Sequence, residues 1–531
     1  MRRIVSWMIL ASFLLGTFTL AFNVGLVRAQ AESTVYINSD GSVSPSNAPI
    51  SSPDDVTYTF TGNISYPTYD GIVVERNNTV IDGNGYTVQG NISEAVTDQS
   101  PGLNLRDTSN VTIRNTNIKS FYYGIFLDSS SNNNTVIGNT AAANLYGIFL
   151  NSSSNNIVTW NNATENSAGI CLYVSSNNNT VSGNNVTANG VGICLSGSSN
   201  DNIVSGNNAA ANDSAGIDLY SSSNNTISGN NATASSYYGI VLEDASNNTV
   251  SGNNATANSE YGIWLYFSSN NNTVSSNNVT ENSAGIFLRD YSNNNTVSGN
   301  NVTANGTGIW LEVCSNTTIY HNNFIGNPAQ ARVDLGSSGN AWDNGYPSGG
   351  NYWSDYIGTD LYSGPYQNVT GSDGIGDTPY VIGANDADHY PLMGGFSDFN
   401  VAEGVDVQVV SNSTVSDFQF NGTALLFDVS GTNDTTGFCN VCVPTSLVNG
   451  NLTVLVNGTQ VQYSLLSTSN SDQTYLYFTY GHSTEQVIIM PEFPDSLIMV
   501  MFMLATLAAI AINKKKHGRS LSFCLFARRF F

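Results

Sequence analysis

The apolar positions of this chain recur on a fixed beat. A Gly-Ile pair, followed one residue on by Leu, occurs nine times, at Gly124, Gly147, Gly169, Gly192, Gly216, Gly239, Gly262, Gly285 and Gly308, in steps of 22 to 24 residues. A second apolar position falls about midway in each period: Val136, Val158, Val181, Val204, Ile227, Val250, Val274, Val297 and Ile319. Asn, Ser and Gly fill the gaps, and these residues favour turns. No segment places apolar residues at i, i+3, i+4 and i+7 over a full helix length. A fixed period of this size signals stacked supersecondary units. Two or three short strands per period, joined by tight turns, predict an all-β chain: a right-handed parallel β-helix of about 23 residues per coil.

Strand alternation then sets side-chain directions. Ile125 and Leu127 point inward, as do Ile148 and Leu150, and neighbouring coils lie about 4.8 Å apart. Asn pairs beginning at Asn184, Asn207, Asn230, Asn253, Asn277 and Asn300 stack into amide ladders. The coils are expected over residues 72–326, about eleven of them, as a rod on the order of 50 Å long. Residues 32–71 form an N-terminal cap and residues 327–396 a closing segment. Over residues 397–490 the beat stops. Stretches such as Val405-Asp406-Val407-Gln408-Val409 and Leu452-Thr453-Val454-Leu455-Val456 predict a small β-sandwich domain, a stalk.

The two ends read as targeting segments. Arg2 and Arg3, an apolar run from Ile4, and Ala29-Gln30-Ala31 predict a secretory signal over residues 1–31. Leu497 to Ile512 is apolar except for Thr506 and precedes Lys514-Lys515-Lys516, which predicts a C-terminal transmembrane helix with residues 517–531 as a cytoplasmic tail. The expected location is outside the cell, anchored at the outer face of the cytoplasmic membrane. Between Glu32 and Ser496 six basic residues face 39 acidic ones, a net charge of −33. Such a charge disfavours nucleic acid as a partner; cations, neutral glycans and basic partners are compatible.

Outward residues between the Ile and Leu of each coil, and two positions on, form a stripe of aromatics and carboxylates. Phe126, Phe149, Tyr220, Trp264, Tyr266, Phe287 and Trp310 are the candidate ligand-binding residues. Aromatic faces beside carboxylates suit sugar rings; coverage by a loop is the structural alternative. A glycosidase needs two carboxylates about 5 to 9.5 Å apart. Asp218 with Glu243 and Asp244, one coil apart, is the best pairing, although solvated surface acids are more common. Arg289 is the only basic residue in the repeats that could serve a lyase. Asp373, Asp377, Asp386 and Asp388, in a Gly-rich stretch, carry oxygens suited to calcium, without EF-hand spacing.

Cys171 and Cys194 occupy one site in adjacent coils and either pair across the stack or stay free; Cys439 and Cys442 are a local disulfide or two unrelated thiols. Asn-x-Thr acceptor sites for glycosylation recur at Asn162, Asn185, Asn231, Asn254, Asn278 and Asn301, where stacked ladders are expected to hide the amides. Asn412, Asn421, Asn451 and Asn457, outside the coils, are the preferred sites.

From Val80 through Tyr390 the chain resembles the right-handed β-helix proteins of the NosD-like, pectin-lyase-like group, described as carbohydrate-binding and sugar-hydrolase domains. Trp342-Asp343-Asn344-Gly345, Gly350-Asn351-Tyr352-Trp353 and Asp373-Gly374-Ile375-Gly376-Asp377 are similar to segments that close such helices in archaeal surface proteins. Pro491-Glu492-Phe493-Pro494, the apolar run and the lysines resemble an archaeal PEF-CTERM sorting signal, which implies processing by an archaeosortase and attachment to lipid. The tail from His517 to Phe531 departs from that pattern. The NosD name implies copper, which four scattered histidines without a Met or Cys cluster disfavour. The expected function is a surface-anchored β-helix for glycan or protein binding; a tethered polysaccharide hydrolase or lyase, and a purely structural envelope component, are the alternatives.

Overall fold

The computed structural model describes residues 34–65, 70–91, 99–447, 451–466 and 472–492. The expected signal, sorting motif, membrane helix and tail lie outside these residues, apart from Pro491 and Glu492. Among the described residues no helix is long and apolar enough to cross a membrane.

The chain divides into two compact units. The first is a parallel β-solenoid of right-handed type with about twelve turns. Its first sheet runs from Val35–Ile37 through Tyr123–Asp128 and Tyr238–Glu243 to Ala329–Val333. The second sheet holds the midway Val or Ile of each coil, as in Thr180–Ser182 and Thr226–Ser228. The third is laid down in two parts, which isolated bridges at Asn185, Asn208, Asn231 and Asn254 connect. Register is kept coil to coil: Ile217 pairs with Ile240 and Leu219 with Leu242. Coiling already begins at Val35–Ile37, which pairs in parallel with Ile72–Val74, ahead of the Gly-Ile repeats. Ile125, Leu127, Val136 and their copies fill a continuous buried core.

The glycine of the beat has a tertiary cause. A Cβ on Gly239 would lie 2.5 Å from the Gly262 carbonyl and 2.8 Å from the Asn258 amide of the next coil. Asparagine ladders line the turns inside the wall. Asn230 donates to Val204 O (2.9 Å) and Asn253 Oδ1 (3.0 Å), and its own oxygen accepts from the Asn207 backbone N–H and side-chain amide. Each ladder thus meets the backbone demand that a turn without sheet partners creates.

At the C-terminal end of the coils, Asn351 continues one ladder: Asn322 donates to its Oδ1 (2.9 Å). Trp353 stacks on Phe324 at 4.5 Å. Asp388 is fully buried and accepts from the Asn351 backbone, Trp353 Nε1 and the Tyr390 backbone. The second unit contains two five-stranded antiparallel sheets that share one core, including Val409, Val441, Phe427 and Ile489, a β-sandwich.

Candidate functional site

Two columns run along the outward face of the first sheet. One holds Cys194, Asp218, Val241 and Trp264 in register, continuing through Phe287 and Trp310. The other holds Tyr220, Glu243 and Tyr266. Residues two apart on one strand share a face, so the columns lie side by side.

The aromatics cover one another. Phe287 lies between Trp264 (6.4 Å, 7°) and Trp310 (4.3 Å, 23°) and is 0 % exposed. Phe149 is also buried. These two therefore do not belong to an exposed stripe: pointing out of the wall does not expose a ring when copies above and below close over it. Trp310 is engaged too, since its Nε1 donates to Asp334 (3.0 Å) and Arg332 lies over its ring at 4.1 Å. Phe126 is half-buried and stacks on Tyr123 at 4.4 Å. Tyrosines just before the glycine, such as Tyr123, Tyr146, Tyr238 and Tyr261, complete these stacks. Their repetition in front of Gly was the sequence signal for them.

What stays open is narrower. Tyr220 is 50 % exposed and Tyr173 is 43 % exposed. Tyr266 is half-buried and stacks on Trp264 at 4.7 Å and 26°. Glu243 stands between the two tyrosines. Asp218 is diagonal to Glu243 across one coil, about 7 to 8 Å in sheet geometry. Its half-buried carboxyl, flanked in register by Cys194 and Val241, has no hydrogen-bond partner among the described residues. Burial pushes it up to about 6, and Glu243 adds repulsion. Burial also raises Glu243, with Asp244 second. Asp244 sits in a turn at φ 49° and accepts from Ser221. Arg289 is held between Asp290 (3.4 Å) and Glu312 (3.5 Å), which occupies the one basic candidate.

The four candidate calcium ligands do not form one set. Asp386 accepts from Trp342 Nε1, and Asp388 is the buried turn acceptor described above. Asp373 and Asp377 belong to the other unit. There Asp377 accepts from the Leu361 and Tyr362 backbones, and Asp373 from Ile375. Their oxygens answer turn N–H groups. Asp360, which the sequence reading passed over, accepts from Asp373 and Gly374, and burial pushes it up to about 7. Among the described residues no group of three His, Cys, Asp or Glu side chains could hold a metal ion.

Cys171 and Cys194 form a disulfide between adjacent coils, whereas Cys439 and Cys442 are separate buried thiols. The sequon ladder needs correction. Asn184, Asn207 and Asn230 are the buried ladder; the acceptor asparagines Asn185, Asn231 and Asn254 follow one residue later and face outward. Their amides are not hidden in the wall but bond one another along the surface. In the sandwich, Asn412 donates to Thr436 O and accepts from Phe438, Asn421 caps a turn through Ala424, Asn457 accepts from Gln486, and Asn451 is exposed.

Coiled parallel sheets with internal asparagine ladders and a partly open aromatic face define the molecule as a β-helix protein. The chain belongs to the family described as "Periplasmic copper-binding protein (NosD)", which matches residues 29–208 and 206–358. No curated protein sequence matches it. Among solved structures it is similar to the Azotobacter vinelandii mannuronan C-5 epimerase AlgE6 A-module (16% identity, 54% of this chain and 88% of that one, TM-score 0.40). The Dettilon tailspike protein is also similar (15%, 87% and 85%, 0.44), as is an alginate lyase from Paenibacillus sp. str. FPU-7 (16%, 55% and 98%, 0.31).

The family description implies copper, and the residues do not fit it. Burial pushes the Cys314 thiol up to about 12 and those of Cys439 and Cys442 to about 11, which opposes the thiolate that a soft metal needs. His321 is the only histidine among the coils, and no Met lies between Ile72 and Gly326.

Proposed function

We propose that this is an exported β-helix protein that binds a neutral or amine-bearing polysaccharide on the outward face of its first sheet. The observation that carries the reading is the Tyr220–Glu243–Tyr266 column beside Asp218, with Tyr266 backed by Trp264. Exposed tyrosine faces suit the apolar faces of sugar rings, and carboxylates accept from hydroxyl or ammonium groups. From Ser120 to Leu288 the chain has no Lys, Arg or His, so nothing there offers a cation to an acidic sugar. Export is supported by the signal-like N-terminus and by the family's periplasmic description. Surface anchoring through the apolar C-terminal segment and its PEF-type motif, and glycans on Asn412, Asn421, Asn451 and Asn457, belong to the same proposal.

One observation favours a second reading, a polysaccharide hydrolase. Asp218, whose carboxyl burial pushes up to about 6, stands diagonal to Glu243 one coil away, two carboxylates of the kind such an enzyme needs. A glycan array decides between them. Binding is expected and is expected to fall at least tenfold in Tyr220→Ala and Tyr266→Ala. Release of reducing ends, abolished by Asp218→Asn or Glu243→Gln, would replace the binding reading. Loss of neither binding nor turnover in any variant, because neither exists, leaves a scaffold.

A further inference from the structure

The solenoid contains three kinds of asparagine that look alike in the sequence. The inner ladders are buried and fully bonded: Asn179 donates to Ser153 O (3.1 Å) and Asn202 Oδ1 (3.1 Å). The outer row of the third sheet is bonded along the surface, as in Asn208 to Asn185 at 2.7 Å. The third kind sits in the turn that leads from the first sheet into the second. Among its asparagines are Asn133, Asn178, Asn224, Asn247, Asn271 and Asn294, all exposed, at φ 55° to 59°. Asn tolerates this left-handed conformation better than most residues. Among the described residues no group hydrogen-bonds their side-chain amides, while each backbone N–H is held by the next coil, as Asn178 N is by Asn200 O.

Each of the six is followed by a ladder asparagine and then by a threonine, as in Asn178-Asn179-Thr180. That is the Asn-x-Thr acceptor sequence for N-glycosylation. We propose that this turn row carries N-linked glycans and that Asn178 is its principal site. In the transfer, Asn178 Nδ2 bonds to the anomeric carbon of a lipid-phosphate-linked oligosaccharide. The sugar–phosphate C–O bond breaks, the lipid phosphate leaves, and the amide loses one proton. No hydrogen bond of the fold is lost, because none engages that amide.

Spacing selects the site. Asn224, Asn247, Asn271 and Asn294 stand on successive coils, about 4.8 Å apart, closer than two sugar chains can lie side by side. Neighbours therefore exclude one another. Asn133 has the acceptor Asn110, before Val111 and Thr112, at the same place on the preceding coil, and Asn316, before Thr317 and Thr318, follows Asn294. Asn178 has no such competitor. The row positions on either side are Asn155, followed by Asn156 and Ile157, and Asp201, and neither is an acceptor.

The inference rests on the export part of the proposed function and is independent of the binding face. Its test is mass spectrometry of glycopeptides from the full-length protein, purified from its native host after cell fractionation. The expected result is a sugar mass on Asn178 in most molecules, absent in Thr180→Val, which leaves Asn178 in place. Fragments spanning Asn247 and Asn271 are expected to carry one glycan at most. A protein found outside the cytosol with the whole row bare overturns the row as a glycan carrier while export stands, and glycans elsewhere in the row with Asn178 bare overturn the choice of Asn178. A protein confined to the cytosol overturns both.

Discussion

Asp218 sits where an aspartate is costly. Its neighbours in register are Cys194 and Val241, and burial holds its carboxyl near 6 rather than 3.8. The folded state therefore binds this proton more tightly than the unfolded chain. Its ionisation lowers stability, with little effect below about pH 4 and the full penalty above about pH 6, at most about 3 kcal/mol. Asp218→Asn is expected to raise Tm at about pH 7.5 and to leave it nearly unchanged at about pH 4. Equal shifts at both values would sink the ionisation account. A residue kept at such a cost on an outward face is a functional candidate for a physical reason. The sequence placed Asp218 and Glu243 one coil apart. The repeat also put Cys194 and Val241 on either side of Asp218, as the register shows; what it could not report is how deeply those coils bury the carboxyl.

At the level of elements, the ladders and the strands divide the work. Strands bury Ile, Leu and Val; the ladders satisfy the turns. Asn230 and Asn231 are adjacent yet belong to different structures. Asn230→Ala would orphan Val204 O and the Asn207 groups inside the wall, at about 2 to 4 kcal/mol. Asn231→Ala loses surface bonds to Asn208 and Asn254, which water can replace, at under about 1 kcal/mol. Paired denaturant titrations of the two variants check the contrast; similar costs would mean the outer row also holds the fold. The strands, the period and the inward Ile and Leu were legible in the sequence, since they repeat. The open part of the stripe was not. Phe287 and Tyr220 both point outward, but only stacking covers Phe287.

Over the whole molecule, charge governs the choice of partner. The region between the two ends carries −33, and its few cations include Arg289 and Arg332, each already paired with a carboxylate. Anionic polymers are expected to be repelled at low salt, whatever the fold shares with alginate-acting structures. In pull-down with insoluble polysaccharides at about 20 mM and about 500 mM salt, a deacetylated amino-sugar polymer is expected to retain the protein better at the lower salt. Retention on alginate that exceeds it at low salt would contradict the charge argument. Coils contact mainly their neighbours, so changes to one face are expected to leave distant coils intact.

The sequence by itself determined the architecture. A 23-residue beat of Gly-Ile-x-Leu, with turn residues between, leaves little but coiled parallel strands, because period and alternation are local properties of the chain. Only the tertiary structure decided the fate of residues that look identical in one dimension. It separated Asn178, Asn179 and Asn185 into a free turn amide, a buried ladder rung and a surface rung. It paired Cys171 with Cys194 and left Cys439 and Cys442 apart. It dispersed the four aspartates among separate turns. The reason is the same in each case: exposure and bonding in a solenoid are set by the coils above and below, about 23 residues away, which the local sequence does not describe.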